Sequence, residues 1–556
     1  NRIFNDSHVN LFSEREVTQW AFNWGQFLDH TFGLREAGGE NAAIAFDPFD
    51  PLEEFQNDAG EIGFQRSAAA AGTGDFSARE QNNVVSSYID GWAIYGGTEE
   101  RLEWLREGPV DGDLSNNSAK LLLVNGFLPR ANTRGDVSAA PVMDLPGALR
   151  GTPEKAFIAG DVRANENIAL TATHTLFARE HNRIVNALPT YLDEETKFQI
   201  ARKVVGAKQQ YITYEAYLPS LGLKLDSYQG YNPNVDPRVT NEFATVGYRA
   251  HSMIHGDFDI ALEKKDLSKD QLKGLEAKGV LIDGDDIEVP LNIAFGNPDL
   301  VTDIGLEGIL AGLEAVQYNN DEQIDNQLRS ILFQIPRNID GPLDGQGIEN
   351  NFTVVSDIGA IDVERGRDHG IASYNDLREA FGLARVRSFT EITGESTAQL
   401  PYGLDIDDPE ILLFDKILDE NGKVEEEGAD KILKELAKGE EVEGIFGVRR
   451  STLASRLNAI YGDVDQVDAF VGLVSEKHLP GSEFGELQQA IWKEQFEDLR
   501  DGDRFFYAND PALQEIEARY GISYKTTLAD IITQNTALSS DDLEKNVFIA
   551  NDDFVL

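Results

Sequence analysis

Trp24-Gly25-Gln26-Phe27-Leu28-Asp29-His30 closes a run, Glu14 to Asp29, in which Val17, Trp20, Ala21, Trp24, Phe27 and Leu28 fall mostly on one helical face. The spacing predicts an amphipathic helix. On it Gln26, Asp29 and His30 share a face, three and four residues apart. Three polar groups beside Trp24, Phe27 and Leu28 need a polar partner or a cofactor if buried; as a capped surface helix end they need neither. Working outward, Glu166 to Leu188 reads as a long helix with few breakers. Lys197 to Tyr217 is another, with Ile200, Val204, Val205, Tyr211 and Ile212 on its apolar side. Asp236 to Ile254 is a fourth, entered after Pro233 and Pro237, and Glu486 to Leu499 a fifth. β-like alternation is scarce. Loops rich in Gly, Pro and Asp separate the helices at Gly38 to Phe55, Asn125 to Gly151 and Gly341 to Asn350. No repeat and no long linker divides the chain, so the reading is one large, mainly α domain over residues 1–556. The acidic stretch Asp419 to Glu443 reads as a solvated helix pair and a candidate insertion.

Composition excludes more than it identifies. Against 49 basic residues stand 97 acidic ones, a formal charge of −48 that argues against nucleic acid and anionic membrane surfaces as partners. With no cysteine, the chain has no disulfide, thiolate metal site or cysteine nucleophile. No apolar run approaches a membrane span; Leu121 to Val124 is typical of the short clusters. No basic-then-apolar signal segment opens the chain, so Asn1 reads as a mature or trimmed start.

With eight histidines, each can be weighed. Besides His30, three groups stand out. Gly160-Asp161-Val162-Arg163-Ala164-Asn165-Glu166 puts Arg163 and Glu166 on one helical face. Gly247-Tyr248-Arg249-Ala250-His251-Ser252-Met253-Ile254 sets His251 inside an apolar helix. Ile361-Asp362-Val363-Glu364-Arg365-Gly366-Arg367-Asp368-His369-Gly370 holds six charged or polar side chains in ten residues. Singly, these read as a solvated face, a core histidine and a salt-bridged turn.

Together and in this order, the four groups resemble the animal-type haem peroxidases of the peroxidase–cyclooxygenase superfamily. The resemblance runs from Asn1-Arg2-Ile3-Phe4-Asn5 to Leu499-Arg500-Asp501-Gly502-Asp503-Arg504-Phe505-Phe506-Tyr507 and is nearest to bacterial, peroxidasin-like members. It implies a large helical domain and one b-type haem. It implies oxidation of small anionic or phenolic donors (iodide, bromide, thiocyanate, phenols) by hydrogen peroxide through compound I. It also implies a secreted or periplasmic location. By the same resemblance His30 is the distal base, Arg163 the distal cation and Gln26 the residue that orients distal water or halide. His251 is the proximal iron ligand and Asp362 its imidazole's partner, often an asparagine in animal members. Arg365 pairs with a haem propionate, and Asp29 and Glu166 match the carboxylates that form esters with haem methyl groups. Peroxide cleavage needs a base and a fixed positive charge on one side of the iron and a strong donor on the other; these residues supply both.

The sequence departs from the pattern at three places. Asn167 stands where myeloperoxidase-like members have a methionine that forms a sulfonium bond to haem, which predicts no such bond and poor chloride oxidation. The family's calcium loop is matched by Ser86, the Tyr88 carbonyl and Asp90, but Thr31 replaces an aspartate and Trp92 a serine. A hard cation takes six to eight oxygens, so calcium is expected to be absent or weakly held. Tyr248, three residues before His251, resembles the radical tyrosine of the fatty-acid dioxygenase branch, although tyrosine in an apolar segment is more often core packing. Two other functions therefore compete with a peroxidase. A fatty-acid dioxygenase using Tyr248 is disfavoured by the ester carboxylates, and a haem-free adhesion or matrix protein by intact His30, Arg163 and His251.

Overall fold

The computed structural model describes residues 1–47, 49–52, 60–262, 264–315, 323–332, 335–336, 352–354, 356–439 and 441–550. The predicted loop at Gly341 to Asn350 and the end of the one at Gly38 to Phe55 lie outside them. Five helices position the site: α1 (Trp20–Phe32), α2 (Ile168–Ala187), α3 (Glu194–Ile212), α4 (Ile358–Asp368) and α5 (Glu486–Asp501). They share one hydrophobic core that draws residues from Ile3 to Phe548. Among the described residues no helix is long and apolar enough to cross a membrane.

Helix α1 starts six residues after Glu14, where the predicted run opens. The backbone N–H groups of Thr18, Gln19 and Trp20 donate instead to the carbonyls of Phe548, Ala315 and Leu313. A donor committed to another segment cannot close a helical turn. Helix α2 is buried on nearly every side, and Thr171, Thr173 and Thr175 return their hydroxyls to carbonyls within the helix. Arg163 and Glu166 do not share a helical face. They lie in the turn before α2, whose N-cap, Asn167, accepts from the Leu170 N–H at 2.8 Å.

Two further expectations fail. The helix predicted over Asp236 to Ile254 is broken: a wide turn at Phe243–Gly247 is followed by a single tight turn at His251–Met253. The Gly247 carbonyl, which a continuing α-helix would give to the His251 N–H, instead accepts from Trp492 Nε1 (2.7 Å) and Gln488 Nε2 (3.3 Å) of α5. His251 therefore stands on a short, irregular segment.

The second concerns the acidic stretch, where strands are needed. Strands β1 (Ala37–Asn41) and β2 (Gln65–Ser67) pair beside α4, and β3 (Asp257–Asp259), β4 (Leu281–Asp283) and β5 (Asp286–Pro290) form a small sheet after His251. The expected helix pair at Asp419 to Glu443 is instead part of a β-rich module. It contains β6 (Phe414–Leu418), β7 (Val424–Glu427) and β8 (Phe446–Arg449), with one short helix at Ala429–Leu436. Asn421-Gly422, with Gly422 at φ 75°, turns β6 into β7, a hairpin signal the acidic composition masked. Phe414, Ile417, Ile432 and Val442 bury against Val9 and Leu11 in a core of their own.

Candidate functional site

Helix α1 and the turn before α2 build a buried polar network. His30, 1% exposed, ends α1 between two carboxylates: its Nδ1 lies 3.5 Å from Asp161 Oδ1 and its Nε2 3.4 Å from Glu166 Oε2. Asp161 also binds Arg163 in a forked pair, accepting from Nε at 2.9 Å and Nη2 at 3.1 Å, and from the Arg163 backbone N–H at 2.9 Å. Arg163 Nη1 reaches Asp29 Oδ2 at 2.7 Å. Gln26 Nε2 donates to Glu166 Oε2 at 2.7 Å, and Asn167 Nδ2 donates to Gln26 Oε1 at 2.8 Å. Residues 26–30 and 161–167 thus meet in one cluster.

The charges settle one another. Burial works to raise the Asp161 carboxyl, but His30 and Arg163 outweigh it and hold the group at about 2. Glu166 is likewise held low against its burial, by His30, Arg163 and the Gln26 amide. Arg163 is raised despite burial by Asp161 and Asp29. Behind the cluster, His174 of α2 packs edge-on to Phe27 at 5.0 Å, and burial followed by repulsion from His30 lowers it to about 3.

The second half of the site lies across α1. Phe243 and Tyr248 pack on Phe32 at 6.0 and 5.6 Å, and the Tyr248 hydroxyl donates to the Gly25 carbonyl at 3.0 Å. This contact brings the His251 segment against the helix that carries His30. His251 Nδ1 lies 2.5 Å from Asp362 Oδ2, and Asp362 is buried on α4. That bond assigns the proton to Nδ1 and leaves Nε2 to face a metal or acid. Asp357 caps α4, accepting from the Ala360 N–H, and is itself held by Arg329 at 3.0 Å. Thr245 and Ser67 grip the two nitrogens of His369 at 2.9 and 2.6 Å, tying α4 to the wide turn before His251 and to β2.

Arg365 lies over the Phe64 ring at 4.1 Å and donates to Ser67 Oγ and Asp368, both at 3.1 Å. It lines a cleft of about 220 Å³ with Arg35, Arg66, Phe64 and Ile361. Arg249 lies near enough to repel Arg35 and Arg365, and its buried Nε has no hydrogen-bond partner among the described residues. Burial, with repulsion from Arg365 and Arg249, lowers Arg35 to about 10. Three crowded cations at a cleft suit an anionic ligand. Sequence reasoning found Arg365 but missed Arg35, Arg249 and Asp161; the signal available was nearness, five residues after His30 and two before His251 and Arg163.

Ser86, Tyr88 and Asp90 are joined in one turn, and among the described residues no group of three or more His, Asp or Glu could hold a metal ion. Ser86 Oγ donates to Asp90 Oδ2 at 2.8 Å, and Asp90 Oδ1 accepts from the Trp92 N–H at 3.0 Å. The Tyr88 N–H donates to Ser86 Oγ at 3.1 Å, while the Thr31 hydroxyl is buried with no hydrogen-bond partner among the described residues.

Residues 1–402 and 433–548 match the model of the animal haem peroxidase family. The chain belongs to the animal haem peroxidase family. Haem is the cofactor its family implies. A peroxidasin homologue of Caenorhabditis elegans is 29% identical over 96% of this chain and 36% of its own length. Thyroid peroxidase of Sus scrofa is 28% identical over 97% of this chain and 53% of its own. The chain thus spans about a third to a half of these curated relatives. Among solved structures, peroxidase A from Dictyostelium discoideum superposes with a TM-score of 0.69 at 26% identity, covering 99% of this chain and 90% of that one. A fatty acid alpha-dioxygenase of Oryza sativa reaches 0.66 at 16% identity, covering 99% and 80%, a likeness of fold. The fold is that of the peroxidase–cyclooxygenase superfamily.

The residues present fit haem. One imidazole nitrogen of His251 is free for iron, a cationic cleft suits two propionates, and His30 of α1 lies with Arg163 of the turn before α2 around Asp161.

Proposed function

We propose that this protein uses hydrogen peroxide to oxidise small donors (iodide, bromide, thiocyanate and phenols) at the site formed by α1, the turn before α2 and the His251 segment. The observation that carries this reading is that His30 and Arg163 converge on one buried carboxylate, Asp161, beside a segment whose His251 is oriented by Asp362. Haem b, when bound, supplies the iron at which the O–O bond is broken and the store of two oxidising equivalents.

The chain's own residues do the rest. His251 would hold the iron through Nε2, and Asp362, accepting a hydrogen bond from Nδ1–H, would make the imidazole a stronger donor. Arg365, with Arg35 and Arg249, would hold the propionates. His30 takes a proton from peroxide at Nε2 and returns it to the departing oxygen. Arg163 places fixed positive charge where that oxygen gathers electrons, and Gln26 positions the water or halide. Asp29 and Glu166 are the carboxylates for ester bonds to haem methyl groups. Asn167, committed to capping α2, offers no sulfur for a third link, which supports a preference for iodide, bromide or thiocyanate over chloride.

Three smaller readings complete the proposal. Calcium is absent or weakly held, because both Asp90 oxygens are already engaged. The protein works outside the cytoplasm, as its resemblance to peroxidasin-like proteins implies. The module around β6 and β7 is an addition to the family's plan, a reading supported by the unmatched residues 403–432.

Stopped-flow absorbance of the haem protein mixed with peroxide, then with each donor, tests the function. Rapid reaction with peroxide and reduction by iodide are expected. A haem-replete protein inert to peroxide would refute it. So would oxygen uptake with a polyunsaturated fatty acid that disappears in Tyr248→Phe. Tyr248 packs among Phe32, Phe243, Trp492 and Phe496, which supports a packing role in small-donor turnover. Tyr248→Phe is accordingly expected to leave iodide oxidation within a few-fold of wild type.

A further inference from the structure

A file of aromatic rings leads from the ligand segment to the surface. Tyr248, whose hydroxyl touches Gly25 beside Gln26, stacks on Trp492 of α5 with centroids 4.6 Å apart and planes at 30°. One helical turn further along α5, Phe496 lies 5.6 Å from Trp492 and 6.2 Å from Tyr214, and the Tyr214 hydroxyl donates to the Phe496 carbonyl at 2.7 Å. Tyr214 meets Phe506 at 5.1 Å, and Phe506 meets Tyr507 at 4.3 Å. The file ends in a triangle, with Tyr507 5.6 Å from Tyr211 and 5.5 Å from Tyr524, and those two 6.0 Å apart. Tyr507 is partly exposed and donates to the Glu215 carboxylate at 2.5 Å.

Aromatic clusters are ordinary core packing, and contact alone would not distinguish this one. Its composition does. Oxidisable rings (Tyr248, Trp492, Tyr214, Tyr507) recur along it with no more than one phenylalanine between them. The outermost phenol is hydrogen-bonded to a carboxylate that can take its proton as an electron leaves. The most exposed tyrosines, Tyr191 and Tyr402, are 79% and 107% exposed yet have no ring contact among the described residues.

We propose that Tyr507, with Tyr211 and Tyr524, is a second oxidation site that takes phenolic groups carried on macromolecules too bulky to reach the buried His30 site. The proposal rests on the peroxidase reading, which supplies the oxidant. Tyr507 gives one electron inward along the file and its phenolic proton to Glu215. The resulting phenoxyl takes a hydrogen atom from the donor phenol, restoring Tyr507 and leaving a donor phenoxyl. Glu215 then releases its proton, matching one consumed at the His30 site. Two such cycles convert one hydrogen peroxide and two phenols into two waters and two phenoxyl radicals, which couple.

The test uses the haem-loaded enzyme, peroxide and high-molecular-weight dextran carrying tyramine, with dityramine fluorescence as readout and iodide oxidation as the control. Wild type should cross-link the dextran. Tyr214→Phe, which breaks the file inside, and the triple change of Tyr211, Tyr507 and Tyr524 to Phe should each cut that rate roughly tenfold or more while iodide oxidation stays within about twofold. Peroxide added without donor, in the presence of a nitroso spin trap, should place adducts by mass spectrometry on Tyr507, Tyr211 or Tyr524 and not on Tyr191 or Tyr402. Undiminished dextran cross-linking in both variants, wild type that oxidises iodide but not the dextran, or adducts at the isolated exposed tyrosines would each overturn the proposal. Loss of iodide oxidation in wild type would instead refute the peroxidase reading beneath it.

Discussion

Asp161→Asn removes one buried charge and almost no volume, so its consequences can be worked out in advance. Asparagine can still accept from the Arg163 backbone and from Nε, but it no longer neutralises Arg163 or faces His30 with a negative charge. The wild-type carboxyl is displaced from 3.8 to about 2. At about 1.4 kcal/mol per unit this is worth roughly 2 to 3 kcal/mol of native stability. The carboxyl lies lower folded than unfolded, so its contribution is complete above the unfolded value of 3.8 and disappears as pH falls through the folded value of about 2. Denaturant unfolding should therefore show a gap of that size between wild type and variant at neutral pH, constant down to about pH 5 and closing toward pH 2. The reaction with peroxide should slow as well, by roughly two orders of magnitude, because a base and a cation that share one anchor lose their mutual placement. A variant as stable as wild type at neutral pH and as quick with peroxide would refute the anchoring role. A stability gap that does not change with pH would refute its electrostatic origin.

The other predictions are independent of that anchor. His251→Ala should lose haem on gel filtration or fail to react with peroxide; a haem-replete, fully active variant would remove His251 as ligand. His30→Ala or Arg163→Ala should slow the peroxide step by roughly two or more orders of magnitude in stopped-flow absorbance. After peroxide treatment, denaturing mass spectrometry should find haem covalently held by wild type through up to two bonds and by Glu166→Gln through one; quantitative release of free haem from wild type would contradict the ester assignment. Elemental analysis after dialysis against a chelator should find little calcium, and one tightly retained ion per chain would show that carbonyls or waters complete the loop.

What the sequence showed, and what it hid, follows from the range of the forces involved. Helices α1, α2, α3 and α5 were legible because burial of one face repeats every three to four residues, and their cores formed where the periodicity ran. The start of α1 was not, since Thr18, Gln19 and Trp20 give their N–H groups to carbonyls some 300 to 530 positions away. The helix expected around His251 failed for the same reason: two donors on α5 take the carbonyl it needed. The acidic module misled because charge density was weighed above the Asn421-Gly422 turn. At the site, His30, Arg163, His251 and Asp362 were reached through resemblance and their spacing. Asp161 was quoted and passed over because its two partners are one near neighbour and one residue 131 positions earlier, and only folding reveals that both are served by one carboxylate.

The capture of the Gly247 carbonyl by Trp492 and Gln488 ties the backbone path of the His251 segment to two side chains some 240 positions away. Without the donors from α5, the wide turn is free to continue as a regular helix and His251 rotates with it. A transplant of the ligand segment into a related scaffold must therefore carry the matching face of α5. In lineages descended from this chain, substitutions at 488 and 492 should arrive in concert.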